Sequence, residues 1–146
     1  MIQIELSRVK DDYSFEATDA TGHTVRMDTS PEHGGTNFGV RPMQMLLMGL
    51  AGCSAIDVIS ILKKQKQQVV DYKMKVNGER EAGIEPSLWK FIEVEFHIYG
   101  NVDEDKANRA VELSMNKYCS VSATLREAGC TLQWKVFVHT ATTAQA

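Results

Sequence analysis

The sequence has few cysteines and no excess of positive charge, and each shortage closes off a class of protein. Its three cysteines stand at positions 53, 119 and 130, far apart and odd in number. They form neither a secreted disulfide framework nor a paired CxxC zinc site. Histidines His23, His97 and His139 fall in or beside strand-like stretches without the spacing of metal ligands, so no metal site and no cofactor are expected. Sixteen Lys and Arg against nineteen Asp and Glu leave a formal charge of -3, with the two signs interleaved along the chain. That pattern gives no electrostatic footprint for nucleic acid. Met1 to Lys10 lacks the basic start and apolar run of a signal peptide, which makes the cytoplasm the expected location.

What is present is globular. Hydrophobic residues make up 43% and charged residues 24% of 146 positions, enough for a core without staples, and one domain over 1–146 is expected. Ile2, Ile4 and Leu6 alternate with polar residues, as do Tyr13, Phe15 and Ala17, with Lys10-Asp11-Asp12 as the turn between two strands. Val25 and Met27 mark a third strand after the turn Asp19-Ala20-Thr21-Gly22. Thr29 to Arg41 carries Pro31, Gly34, Gly35, Thr36, Asn37 and Gly39, residues suited to turns and close backbone approach, and is read as a loop walling a site. Only Thr140 to Ala146 reads as a tail.

Pro42 suits a first helical turn, and from there to Lys64 there is neither another proline nor alternation, so a long helix is predicted. Its apolar residues lie on nearly every face, among them Met45, Leu46, Met48, Leu50, Ile56, Val58, Ile59 and Leu62. Such a helix must be buried all round. Its length approaches that of a membrane span, but Gln44, Gly49, Gly52 and the central Asp57, with amphipathic strands on both sides, favour a core helix and no membrane. Two strands follow, Val70/Tyr72/Met74/Val76 and Ile92/Val94/Phe96/Ile98, around a turn at Gly83 to Pro86. Asn101 and Glu104 are spaced as a capping box for an amphipathic helix running through Ala107, Ala110, Val111, Ser114, Met115 and Tyr118. Ser120 is the expected cap of a short helix closed by Gly129, before a last strand with Leu132, Trp134, Val136 and Val138 inward. The class is α+β, order β-β-β-α-β-β-α-(short α)-β, an antiparallel sheet wrapped against the long helix. One small sheet covers only one side of that helix, so an intertwined homodimer is expected to cover the other.

Cys53 lies inside the apolar helix among Gly49, Ala51, Gly52, Ser54 and Ala55. An apolar interior makes a thiol inert, while the small neighbours leave room beside the sulfur for a substrate or another element. Cys119 directly precedes the Ser120 helix, where unpaired N–H groups favour a thiolate. Asp57 follows Cys53 by one helical turn and shares its face, as a hydrogen-bonding group or a structural partner. His33, in the glycine loop, is a candidate proton donor. Arg26 and Arg41 are the available cations, though Arg41 stands about 18 Å from Cys53 along one helix at the usual rise. Cys130 has no role assigned.

The runs Gly34-Gly35-Thr36-Asn37, Arg41-Pro42, Leu46-Leu47-Met48-Gly49-Leu50-Ala51-Gly52-Cys53 and Cys119-Ser120-Val121-Ser122 resemble the two motif regions of the OsmC/Ohr family, over the whole chain in element order. In that family a glycine-rich loop leads into a central helix bearing the reactive cysteine, and a second cysteine followed by Val-Ser ends the next long helix. The resemblance implies a thiol peroxidase in which Cys53 attacks an organic hydroperoxide and its sulfenic acid is trapped by Cys119. A dithiol such as a lipoylated protein would then restore both thiols. The sequence departs from the pattern at Met43, where the family's best-studied branch carries a Glu that holds the activating arginine. Arg41 from a dimer partner, or Arg26, would have to supply that charge. A non-catalytic dimeric binding module with a hydrophobic interface pocket is the alternative.

Overall fold

The computed structural model describes residues 1–140, so the expected tail lies outside the described residues except for Thr140. Two compact units divide the chain, Met1–Leu46 and the remainder from Leu47 onward.

In the first unit, alternation produces three short antiparallel strands, β1 (Glu5–Arg8), β2 (Phe15–Thr18) and β3 (Thr24–Met27), in that spatial order. Ile2 and Ile4 continue the alternation but lie before β1. The ladder stops at Glu5↔Thr18 because β2 turns away at Asp19, which accepts from the backbone N–H of Thr21 and His23. After β3 the chain folds around Asp28, only 2% exposed, whose carboxylate accepts from the N–H groups of Thr29 (2.7 Å), Thr36 (2.9 Å) and Phe38 (3.1 Å). The glycines here answer a packing demand: a methyl group at Gly35 would overlap the Thr29 carbonyl, and one at Gly39 that of Arg26.

Helix α1 (Pro42–Lys64) has the predicted bounds, and Lys63 and Lys64 occupy its negative end. Within the chain it buries one stripe, Leu50, Ser54, Val58 and Leu62, a residue every four, while Ile56 stays 69% and Met48 49% exposed. The all-round burial expected for this helix is therefore confined to four of its 23 residues in the single chain. Its Ser54 and Asp57 take part in tertiary hydrogen bonding with Ser114, and Leu47 packs over Gly78 of the sheet. Those polar tertiary bonds belong to a core helix rather than a lipid-exposed one.

The second sheet joins β4 (Gln68–Arg80), β5 (Trp89–Asn101) and β6 (Thr131–His139). β4 and β5 are the predicted long antiparallel hairpin, and Ile92, Val94, Phe96 and Ile98 point inward fully buried. The sheet is mixed rather than wholly antiparallel: β6 pairs parallel to β5, Val94↔Trp134 and Phe96↔Val136. The crossover through α2 (Glu104–Leu113) and α3 (Ser120–Glu127) carries the chain back to the start of β5, and only a parallel strand can follow. Two cap positions differ from the sequence reading. Asp103, not Asn101, caps α2 through the Lys106 N–H at 3.0 Å. Cys119, not Ser120, caps α3, its sulfur accepting from the Ser122 N–H at 3.3 Å. The helix expected to run unbroken to Tyr118 instead widens into a π-turn over Ser114–Tyr118.

Candidate functional site

The π-turn is the device that delivers Cys119. Its i→i+5 geometry directs the Cys119 N–H to the Ser114 carbonyl at 2.8 Å, which ends the helix and turns the chain into α3. The Ser114 hydroxyl meanwhile donates to Asp57 Oδ2 at 2.9 Å and reaches the Ser54 carbonyl at 3.4 Å. A single buried serine thus fixes the second cysteine through its backbone and the α1 carboxylate through its side chain. Asp57 and Cys53 share a face of α1, so all three meet: the Cys53 and Cys119 sulfurs and an Asp57 oxygen lie within 4.8 Å of one another. Both cysteines are free thiols.

Cys119 does not behave as its place before a helix suggested. Burial pushes its thiol up to about 11, outweighing the Ser122 N–H that stabilises the anion, and the neighbouring Cys53 adds to the rise. At 3% exposure, desolvation exceeds what one long hydrogen bond and a two-turn helix supply. Cys130 is also raised by burial, with its sulfur directed at the Thr131 carbonyl, 3.7 Å away.

Beside this cluster a cavity of about 540 Å³ is lined by Asp57, Ile61, Lys64, Gln65, Leu113 and Tyr118. It is apolar along Ile61 and Leu113, polar at Asp57 and cationic at Lys64.

The other candidates belong to the first unit and each has local partners. Arg41 donates to the Gly39 carbonyl (3.1 Å) and to Asn37 (3.3 Å). Arg26 faces Glu16 at 3.9 Å and lies 5.0 Å over the Phe38 ring. His33 Nδ1 is 2.7 Å from the Ser30 hydroxyl on an exposed 3₁₀ turn, Pro31–His33. Sequence reasoning missed the roles of Ser114 and Ser122. Their signal was a polar residue on the apolar stripe of a helix. It also missed that the parallel register stacks His97 and His139, with ring nitrogens 3.0 Å apart, a pairing that no local spacing encodes.

These features define a class: an α+β scaffold that brings a thiol from a long apolar helix against a helix-capping thiol delivered by a crossover. The OsmC-like protein family matches residues 33–135, which take in the glycine loop, α1 and both cysteines. The chain belongs to the OsmC-like family. It is 41% identical over 116 residues to protein YhfA of Escherichia coli strain K12, covering 79% of this chain and 83% of that one. Among solved structures, a hypothetical protein of Aquifex aeolicus aligns with a TM-score of 0.79 at 29% identity, over 96% of this chain and 98% of that one. An organic hydroperoxide resistance protein OsmC of Legionella pneumophila shares the fold with a TM-score of 0.65 at 18% identity, over 96% and 97% of the two chains. The fold is thus that of the OsmC/Ohr proteins.

Proposed function

We propose that this protein is a thiol-dependent reductase of organic hydroperoxides. The observation that carries the reading is the approach of the Cys53 and Cys119 sulfurs to within 4.8 Å. Side-chain rotation can close that gap to the roughly 2.05 Å of a disulfide. The Cys53 thiolate attacks the distal peroxide oxygen, the O–O bond breaks, and the alkoxide leaves as an alcohol after taking a proton, with the sulfur now a sulfenic acid. Cys119 then attacks that sulfur, and water departs carrying the Cys119 proton. A dithiol reductant of lipoyl type exchanges with the disulfide and restores both thiols.

The cavity beside Asp57 suits the hydrocarbon part of such a substrate. Activation of Cys53 calls for a cation, and with Met43 in place of a carboxylate on α1 we assign that role to Arg41 of a second copy, with Arg26 as the other candidate. The exposed apolar residues Leu46, Met48, Ile56 and Ile59 support the second copy, since a homodimer would cover them. Free thiols fit the reducing cytoplasm, the location we propose. The test is peroxide consumption with a dithiol reductant: the native protein turns over cumene hydroperoxide and Cys53→Ser does not. Equal inactivity of both would leave the second reading, a non-catalytic binding module, which the cavity supports.

A further inference from the structure

In their reduced state the two thiols and the carboxylate form a donor set as well as a redox pair. Cys53 and Asp57 project from one face of α1, and Cys119 meets them from the start of α3, with the three ligating atoms within 4.8 Å of one another. Around tetrahedral zinc, with bonds of about 2.3 Å to sulfur and 2.0 Å to carboxylate oxygen, ligand atoms stand roughly 3.5 to 3.8 Å apart. The cluster therefore needs to contract by about 1.3 Å at most, within reach of side-chain rotation.

Two further contacts support the donors. The Ser114 hydroxyl donates to Asp57 Oδ2 at 2.9 Å and so orients the carboxylate, and the Ser122 N–H donates to the Cys119 sulfur at 3.3 Å, as backbone amides do to metal-bound thiolates. No salt bridge among the described residues neutralises Asp57. The adjoining cavity is lined by Asp57 and by neither cysteine, so a metal and its water would reach the donors from the Asp57 side.

We infer that Cys53, Cys119 and Asp57 form a site for zinc, a borderline-soft divalent cation, with two thiolates, one carboxylate and one water as ligands. The two thiol protons pass to solvent on binding, and neither oxidation nor reduction occurs. Zinc and peroxide then compete for the same sulfurs, so a loaded site is a protected one. The sequence hid this set because its members are not paired by a CxxC spacing. They come from one helical turn and a distant helix cap.

The test uses the full chain, reduced and free of oxygen, titrated with zinc against a chromophoric chelator. One zinc per chain is expected, with Cys53→Ser and Cys119→Ser abolishing uptake, Asp57→Asn weakening it about tenfold or more, and Cys130→Ser leaving it unchanged. X-ray absorption at the zinc edge of the native protein, which needs no variant, should find two sulfur neighbours at about 2.3 Å. No stoichiometric uptake, loss with Cys130→Ser, or a sulfur count other than two overturns the site. No peroxide enters this experiment, so inactivity on hydroperoxides leaves its outcome untouched.

Discussion

Ser114 shows how much a single residue arranges. Its hydroxyl orients Asp57 and its carbonyl holds the Cys119 N–H, so removing the hydroxyl alone separates the two roles. Ser114→Ala should cost about 1 kcal/mol in urea denaturation, because a half-buried carboxylate loses its donor. It should also slow formation of the Cys53 to Cys119 disulfide without loss of helix content, a pair of outcomes measurable by mass spectrometry and by circular dichroism. Cys119 itself makes a prediction about pH. Its thiol is raised from the ordinary 9.0 to about 11, so its neutral form is favoured in the folded state. That stability is fully present below pH 9 and is lost as pH rises through 11. Thiolate absorbance should titrate correspondingly late, and earlier in Cys53→Ala, because the neighbouring thiol contributes to the rise. An unshifted titration of Cys119 in the native protein would contradict the burial described here.

Among the elements, the 28–39 loop is organised by one carboxylate. Three N–H donors, from Phe38, Thr36 and Thr29, hold Asp28 below its ordinary value of 3.8. Its anchoring is therefore present above about pH 4 and disappears as pH falls through the lowered value. Amide chemical shifts of Thr36 and Phe38 should move together in that acid range, before the β4–β5 hairpin is affected. Gly35→Ala should destabilise the same loop by about 1 to 3 kcal/mol, since the added methyl meets the Thr29 carbonyl, a backbone atom with little freedom to move. Much of the element order was legible because burial writes it into periodicity: the alternation of Ile92, Val94, Phe96 and Ile98 and the bounds of α1 needed nothing else. The caps were misplaced by one or two residues: Asn101 and Asp103 are equally good caps locally, Ser120 is a better one than Cys119, and in both cases the choice is made by where the chain enters the fold. The π-turn and the parallel pairing of β6 were not legible at all. Both depend on where the crossover lands.

For the molecule as a whole, the long helix sets the terms. It leaves Leu46, Met48, Ile56 and Ile59 in the open, apolar side chains suited to cover by another surface. If a second copy covers them, Ile56→Glu should give monomers by analytical ultracentrifugation, and a native protein that sediments as a monomer at micromolar concentration would remove the homodimer. The two cysteines were recognisable from the flanking residues that resemble the family, while the Asp57 and Ser114 contributions emerged only once α1 and the crossover met.

The parallel seating of β6 has a consequence for biosynthesis. Cys53 leaves the ribosome early, but the stretch 102–130 that carries its partner stays untethered at one end until Thr131–His139 has been translated and has docked beside β5. The nascent polypeptide therefore holds one sulfur without the other, and chains truncated before Thr131 should be unable to couple them.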